Sequence, residues 1–132
     1  MKIAADTSVL LRNVLQDDRV HSRLARRELE DAELVVISVP VFCEFVWVLR
    51  HLYRKSAAEV AGAVRFLIES ENVATNSQSV HAGLAMLDQG GDFADGAIAY
   101  DGAWLGAEEF VSFDRQAVKL LKSQGKRARL LS

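Results

Sequence analysis

The 132-residue sequence holds one cysteine and three histidines, and those shortages close several routes to function. A lone thiol, Cys43, excludes an intramolecular disulfide and fits a reducing compartment. It lies in an apolar run with no histidine at a recognisable spacing, which reads as a small core residue rather than a nucleophile. His21, His51 and His81 are scattered and form no HxxxH or Cys/His pattern, so no zinc centre is expected. An apolar export segment is also missing, because Asp6 and Arg12 interrupt the first dozen positions. The most apolar window, Leu34 to Leu49, contains Ser38, Pro40 and Glu44 and falls short of the roughly 20 residues a membrane-spanning helix needs. The expectation is a soluble, cytoplasmic protein with no membrane partner.

A strong basic balance is absent too, since the formal charge is −2 and nucleic-acid binders usually leave a basic footprint. Distribution matters more than the sum. If four carboxylates are committed to a metal pocket, the remainder carries −2 + 4 = +2. Its cations cluster at Arg23, Arg26 and Arg27, at Arg50, Arg54 and Lys55, and at Lys119, Lys122, Lys126, Arg127 and Arg129. Such clusters serve either as solvated helix faces or as phosphate contacts.

The length suits one compact domain spanning residues 1–132, with half its residues apolar and a quarter charged. Repeats, linkers and low-complexity segments are lacking. Short apolar runs alternate with helical patterns. Strands are expected at Ile3–Ala5, Leu34–Ile37, near Val73, at Phe110–Phe113 and at Ala128–Leu131. Helices are expected at Thr7–Leu15, Asp18–Ala32 (Val20, Leu24 and Leu29 inward), Val39–Tyr53 (capped by Ser38, with Pro40 in its first turn) and Ala57–Glu69 (capped by Ser56). Three more follow at Ser77–Gln89, at Asp92–Leu105, whose alanines and glycines suit close packing on the sheet, and at Gln116–Ser123. This alternation predicts a three-layer α/β/α domain with a parallel central sheet.

Candidate chemistry begins at Asp6, in KIAADTSVLLR, where an acid follows a short apolar strand and faces the crevice in which open α/β sheets hold ligands. FVSFD repeats the arrangement and ends in Asp114; if the two strands are parallel neighbours, both carboxylates reach one sheet edge. Glu44 is the only charged side chain from Val39 to Leu49 on a helix that is apolar on all sides. That predicts a buried carboxylate, which requires a proton, a metal, or a cation such as Arg12 or Arg50. Asp92 and Asp95 stand three apart on one helical face. Taken singly, Asp6 and Asp114 also suit helix N-caps, and Asp92 with Asp95 a capping pair. Taken together, hard oxygen donors from several elements, without histidine or thiolate, are what Mg²⁺ or Mn²⁺ requires.

These pieces, DTSVLLR after the opening strand, the lone acid in PVFCEFVWVL, DFADGAIA and FVSFD, run in order along the whole chain. The sequence thereby resembles the PIN-domain family, most closely the VapC-type toxins of toxin–antitoxin pairs. The resemblance implies a PIN-like sheet and a Mg²⁺-dependent endoribonuclease acting on single-stranded regions of RNA, silenced by a cognate antitoxin. Residue by residue, Asp6, Glu44, Asp95 and Asp114 match the family's acidic quartet, and Asp92 is an accessory acid of the DFAD form. Asp6, Asp95 and Asp114 would hold one or two Mg²⁺ (or Mn²⁺), while Glu44 would ligate through water or orient the nucleophile. Thr7, Ser8 and Ser112 stand where they could hydrogen-bond the ligating carboxylates, with cap or turn roles as the alternative; Ser112 replaces the threonine of many relatives. The apolar surface of Thr7–Leu15 and Val39–Tyr53, with Trp47 and Tyr53, points to a homodimer that also binds an antitoxin segment. Two other classes stay open. A haloacid-dehalogenase-like phosphatase needs a second acid two residues after the first, where Ser8 stands, and a non-catalytic module of the same fold would have no use for the acid set.

Overall fold

The computed structural model describes all 132 residues, and its contacts divide them into two units, Met1–Ser77 and Gln78–Ser132. The first begins with β1 (Lys2–Ala4), α1 (Thr7–Leu15), α2 (Arg19–Asp31) and β2 (Leu34–Val36), and continues with α3 (Val39–His51), α4 (Ala57–Glu69) and β3 (Val73–Ala74). Its strands run parallel in the order β1-β2-β3, with Ile3 beside Val35 and Val35 beside Val73. Each parallel step demands a crossover, which the pairs α1–α2 and α3–α4 supply. Hydrophobicity follows position. The central strand carries Val35, which is fully buried, as is Ile37 just beyond it, and around them Leu10, Phe42, Phe45, Leu49, Val60 and Val64 complete the core.

Local chemistry explains most boundaries. Ser56 accepts from Glu59 N while the Glu59 side chain accepts from Ser56 N, a reciprocal capping box that starts α4 where the sequence places it. Asp18 caps α2 through His21 N. Four expectations need correction. β1 spans Lys2–Ala4 rather than Ile3–Ala5, and as an edge strand of its sheet it has only Ile3 even partly covered. On α2 the inward residues are Ser22 and Ala25, whereas Val20 and Leu24 are 68% and 55% exposed. The small side chains let α2 approach α1, where Ser22 Oγ donates to Arg12 O at 2.8 Å. Ser38 occupies the N-cap of α3 without a side-chain capping bond, and α3 ends at His51 rather than Tyr53. On α4 the buried residues are Val60, Ala61, Val64 and Leu67.

The helix α5 (Ser77–Asp88) leads into the second unit, which adds α6 (Phe93–Trp104), β4 (Phe110–Ser112), α7 (Arg115–Ser123) and β5 (Ala128–Leu130). β4 and β5 pair in parallel, with Val111 beside Arg129. Met86, Ala117, Val118, Leu121 and Ala128 form the core here, with Ala99, Phe110, Leu120 and Leu130 against it. α6 packs closely on α5: a Cβ at Gly96 would lie 2.3 Å from the Ala82 carbonyl oxygen, so only glycine permits the contact. The chain is thus an α/β protein whose strands all pair in parallel with helices around them, the class expected from its sequence. The ladder partner of β1 is β2 and that of β4 is β5. No helix is long and apolar enough to cross a membrane.

Candidate active site

In the first unit Asp6 follows β1 in extended conformation and caps α1. Its Oδ1 accepts from Thr7 N at 2.7 Å and its Oδ2 from Ser8 Oγ at 3.2 Å. The capping role is therefore real, and it also fixes the direction of an exposed carboxylate. Ser8 binds that carboxylate as expected. Thr7 does so only through its amide, because its side chain is buried and Oγ1 has no partner.

Glu44 overturns the expectation of burial: it is exposed. The buried face of α3 is Val39, Phe42, Phe45, Val46 and Leu49, and at 100° per residue Glu44 falls opposite it, in an outward stripe with Pro40, Trp47 and His51. The helix is apolar all round without being buried all round, and the Trp47 and His51 rings lie 5.1 Å apart on its open side. Neither candidate arginine pairs with Glu44. Arg12 binds Asp17 at 2.9 Å and Arg50 donates to Lys55 O at 3.0 Å.

In the second unit two acids cap helices. Asp92 Oδ1 accepts from Ala94 N at 3.0 Å and Asp114 Oδ1 from Ala117 N at 3.1 Å, so each keeps Oδ2 outside its capping bond. Asp95, in the first turn of α6, is half-buried and forms no capping box with Asp92. Burial first, then the charges of Asp92 and Asp114, push its proton affinity above the ordinary aspartate range. These three acids therefore sense one another. Ser112 serves the backbone rather than a carboxylate: its Oγ accepts from Asp114 N at 2.9 Å, fixing the turn that presents Asp114.

One acid escaped sequence reasoning. Asp101 on α6 accepts from the buried Ser79 hydroxyl on α5, and beside it Tyr100 donates to Gln78. Partners 22 residues apart carry no local pattern, so no sequence signal marked them.

A comparison with known protein families matches residues 3–120 to the PIN domain. The chain belongs to the PIN-domain family. A comparison with curated proteins finds no significant match. PIN domains are generally nucleases that bind nucleic acid and use divalent metal ions. Within neither unit of this PIN domain are three carboxylate, imidazole or thiolate side chains already gathered as a metal cage. The donor chemistry nevertheless suits a hard cation. Oxygen ligands are present without competing thiolate, and Asp95 carries a like-charge penalty that a cation would relieve.

Proposed function

We propose that this PIN domain, acting as a single domain over residues 1–132, is a Mg²⁺-dependent endoribonuclease that cuts single-stranded regions of RNA. Asp6, Glu44, Asp95 and Asp114 are its catalytic acids, and Asp6, Asp95 and Asp114 are the ligands for Mg²⁺ or Mn²⁺. The observation that carries the reading is the state of Asp95, a half-buried carboxylate beside two like charges and without a protein cation. A bound divalent cation would supply an activated water and offset the charge that grows on the scissile phosphate. The remaining tasks belong to the chain. Thr7 N and Ser8 Oγ hold the Asp6 carboxylate in one orientation, and Ala117 N does the same for Asp114 Oδ1. Exposed Glu44 can accept the proton of the attacking water at a carboxylate oxygen. Asp92 is an accessory acid that starts α6 and thereby sets the direction of Asp95.

The proposal extends to a cytoplasmic VapC-type toxin that forms a homodimer and is held by a cognate antitoxin. Trp47, Leu52 and Tyr53 at the end of α3 are 52%, 64% and 42% exposed, an apolar surface of the kind that associates. A groove of about 440 Å³ between α1 and α2 is lined by Ser8, Val9, Arg12, His21, Leu24 and Glu28. It offers an apolar floor with charged edges for an antitoxin segment and would bring that segment against the serine that binds Asp6.

Incubation with labelled single-stranded RNA tests the reading. Cleavage is expected with Mg²⁺ or Mn²⁺, little with the larger Ca²⁺, and none with chelator. Metal-independent cleavage would contradict the metal assignment. Binding without cleavage under every metal would leave a non-catalytic module.

A further inference from the structure

Resting on the ribonuclease reading, we propose that the outward face of α7 is a track for the phosphate backbone of the RNA. Arg115, Lys119 and Lys122 recur at i, i+4 and i+7, which sets three cations on one side of the helix. Ala117, Val118 and Leu121 face the core instead. The three cations are exposed and take part in no ion pair, and no acid stands between Asp114 and the end of the helix. The track continues past the helix because its end is built to a fixed shape. Gly125, at φ +81°, donates to Lys122 O at 2.9 Å, and Lys126 N donates to Leu121 O at 3.0 Å, the two bonds of a Schellman turn. Lys126 and Arg127, both exposed and unpaired, are thereby held directly beyond Lys122. Arg129 does not join them, since Glu109 neutralises it at 2.9 Å.

The other arginine-rich helix is built differently. α2 carries Arg19, Arg23, Arg26 and Arg27 against Glu28, Glu30 and Asp31, and it exposes Val20 and Leu24 among them. Nearly balanced charge with exposed aliphatic side chains suits a protein partner, whose interface needs an apolar centre. On α7 the positions between the cations are Gln116, half-buried Leu120 and Ser123, so no apolar anchor or stacking aromatic stands on the face. A polyphosphate needs neither. Such a surface neutralises phosphates without reading bases, and it starts one residue after Asp114, so RNA leaving the site would meet Arg115 first.

The experiment is fluorescence anisotropy of a labelled mixed-sequence single-stranded RNA with the full chain in chelator, across a salt series. The same proteins are then assayed for Mg²⁺-dependent cleavage. Neutralising Arg115, Lys119 and Lys122 together as glutamine should weaken binding roughly tenfold or more at low salt and reduce the log–log salt slope by about 2, at about 0.7 per lost phosphate contact. The loss should be equal for unrelated RNA sequences. Arg23→Gln with Arg27→Gln on α2 should leave the slope unchanged, and melting curves check that each variant folds. An unchanged slope in the α7 variant overturns the track, and if the unmodified protein still cleaves RNA the nuclease reading survives that failure. A reduced slope with no cleavage by any protein keeps the track and rejects the nuclease reading. Loss of poly-glutamate binding without loss of RNA binding would assign the face to an acidic protein and overturn the proposal.

Discussion

Asp6 and Asp114 occupy the same local architecture in different halves of the chain. Each follows a three-residue strand and one intervening residue, and each caps a nine-residue helix. Their company differs. Asp6 has both oxygens occupied by its own neighbours, Thr7 N and Ser8 Oγ, while Asp114 has one oxygen on Ala117 N and lies close enough to Asp95 to raise its proton affinity. An N-cap therefore aims a carboxylate without deciding what it is for. What marks a candidate metal ligand is an accumulation of like charge that nothing in the chain offsets.

The comparison breaks first under Asp6→Asn and Asp114→Asn. Both should reduce RNA cleavage by roughly a hundredfold or more, as loss of an acid acting on the transition state does. Asparagine still caps, so both proteins should stay folded, and Asp114→Asn should melt no lower than the unmodified chain because it removes a repelling charge. A wild-type rate in either variant would remove that acid from the site.

Next in size is the contrast within DFAD. Asp95→Ala should abolish activity at little cost in stability. Asp92→Ala should lower activity only partially and destabilise by about 1 kcal/mol through the lost bond to Ala94 N. Reversed effects would shift the assignment by one helical turn.

The pH dependence of stability sharpens the same point. Asp95 has its folded pKa raised, so its contribution to stability is fully present below the unfolded value and is lost as pH rises through the folded one. Ionising Asp95 in the metal-free protein as the pH rises therefore carries a penalty. Asp95→Asn should raise the melting temperature at neutral pH, and the gain should vanish in acid. A gain that persists at pH 3 would locate the effect elsewhere.

The smallest difference separates the two serines. Ser8→Ala, which frees an exposed carboxylate, should lower cleavage several-fold with stability changed by about 0.5 kcal/mol or less. Ser112→Ala should cost about 1 kcal/mol because it strips the Asp114 amide of its acceptor, with the smaller effect on rate. Equal rate losses would show that both act on the carboxylates.

What was legible in the sequence was the information held locally. The Ser56 cap and the strand-to-acid-to-helix spacing at Asp6 and Asp114 depend on a few consecutive residues, and each stands where the pattern places it. Burial depends on what lies opposite, and there the reading failed. Glu44 was expected inside because its helix is apolar on every side, yet the core takes only one face of α3. Val20 and Leu24 were expected inside from the helical spacing of aliphatic residues, yet α2 approaches α1 through Ser22 and Ala25. Strand partners were equally non-local, since a run such as FVS carries no mark that β5 will pair with it.

Mn²⁺ titration calorimetry of the metal-free protein tests the central claim, that these acids hold a divalent cation, without relying on any RNA. Saturable binding is predicted, abolished by Asp95→Asn and by Asp114→Asn and retained in Asp92→Ala, with affinity falling as the pH is lowered and the carboxylates protonate. Binding that survives in both asparagine variants, or no binding to the unmodified chain at millimolar Mn²⁺, would contradict the account.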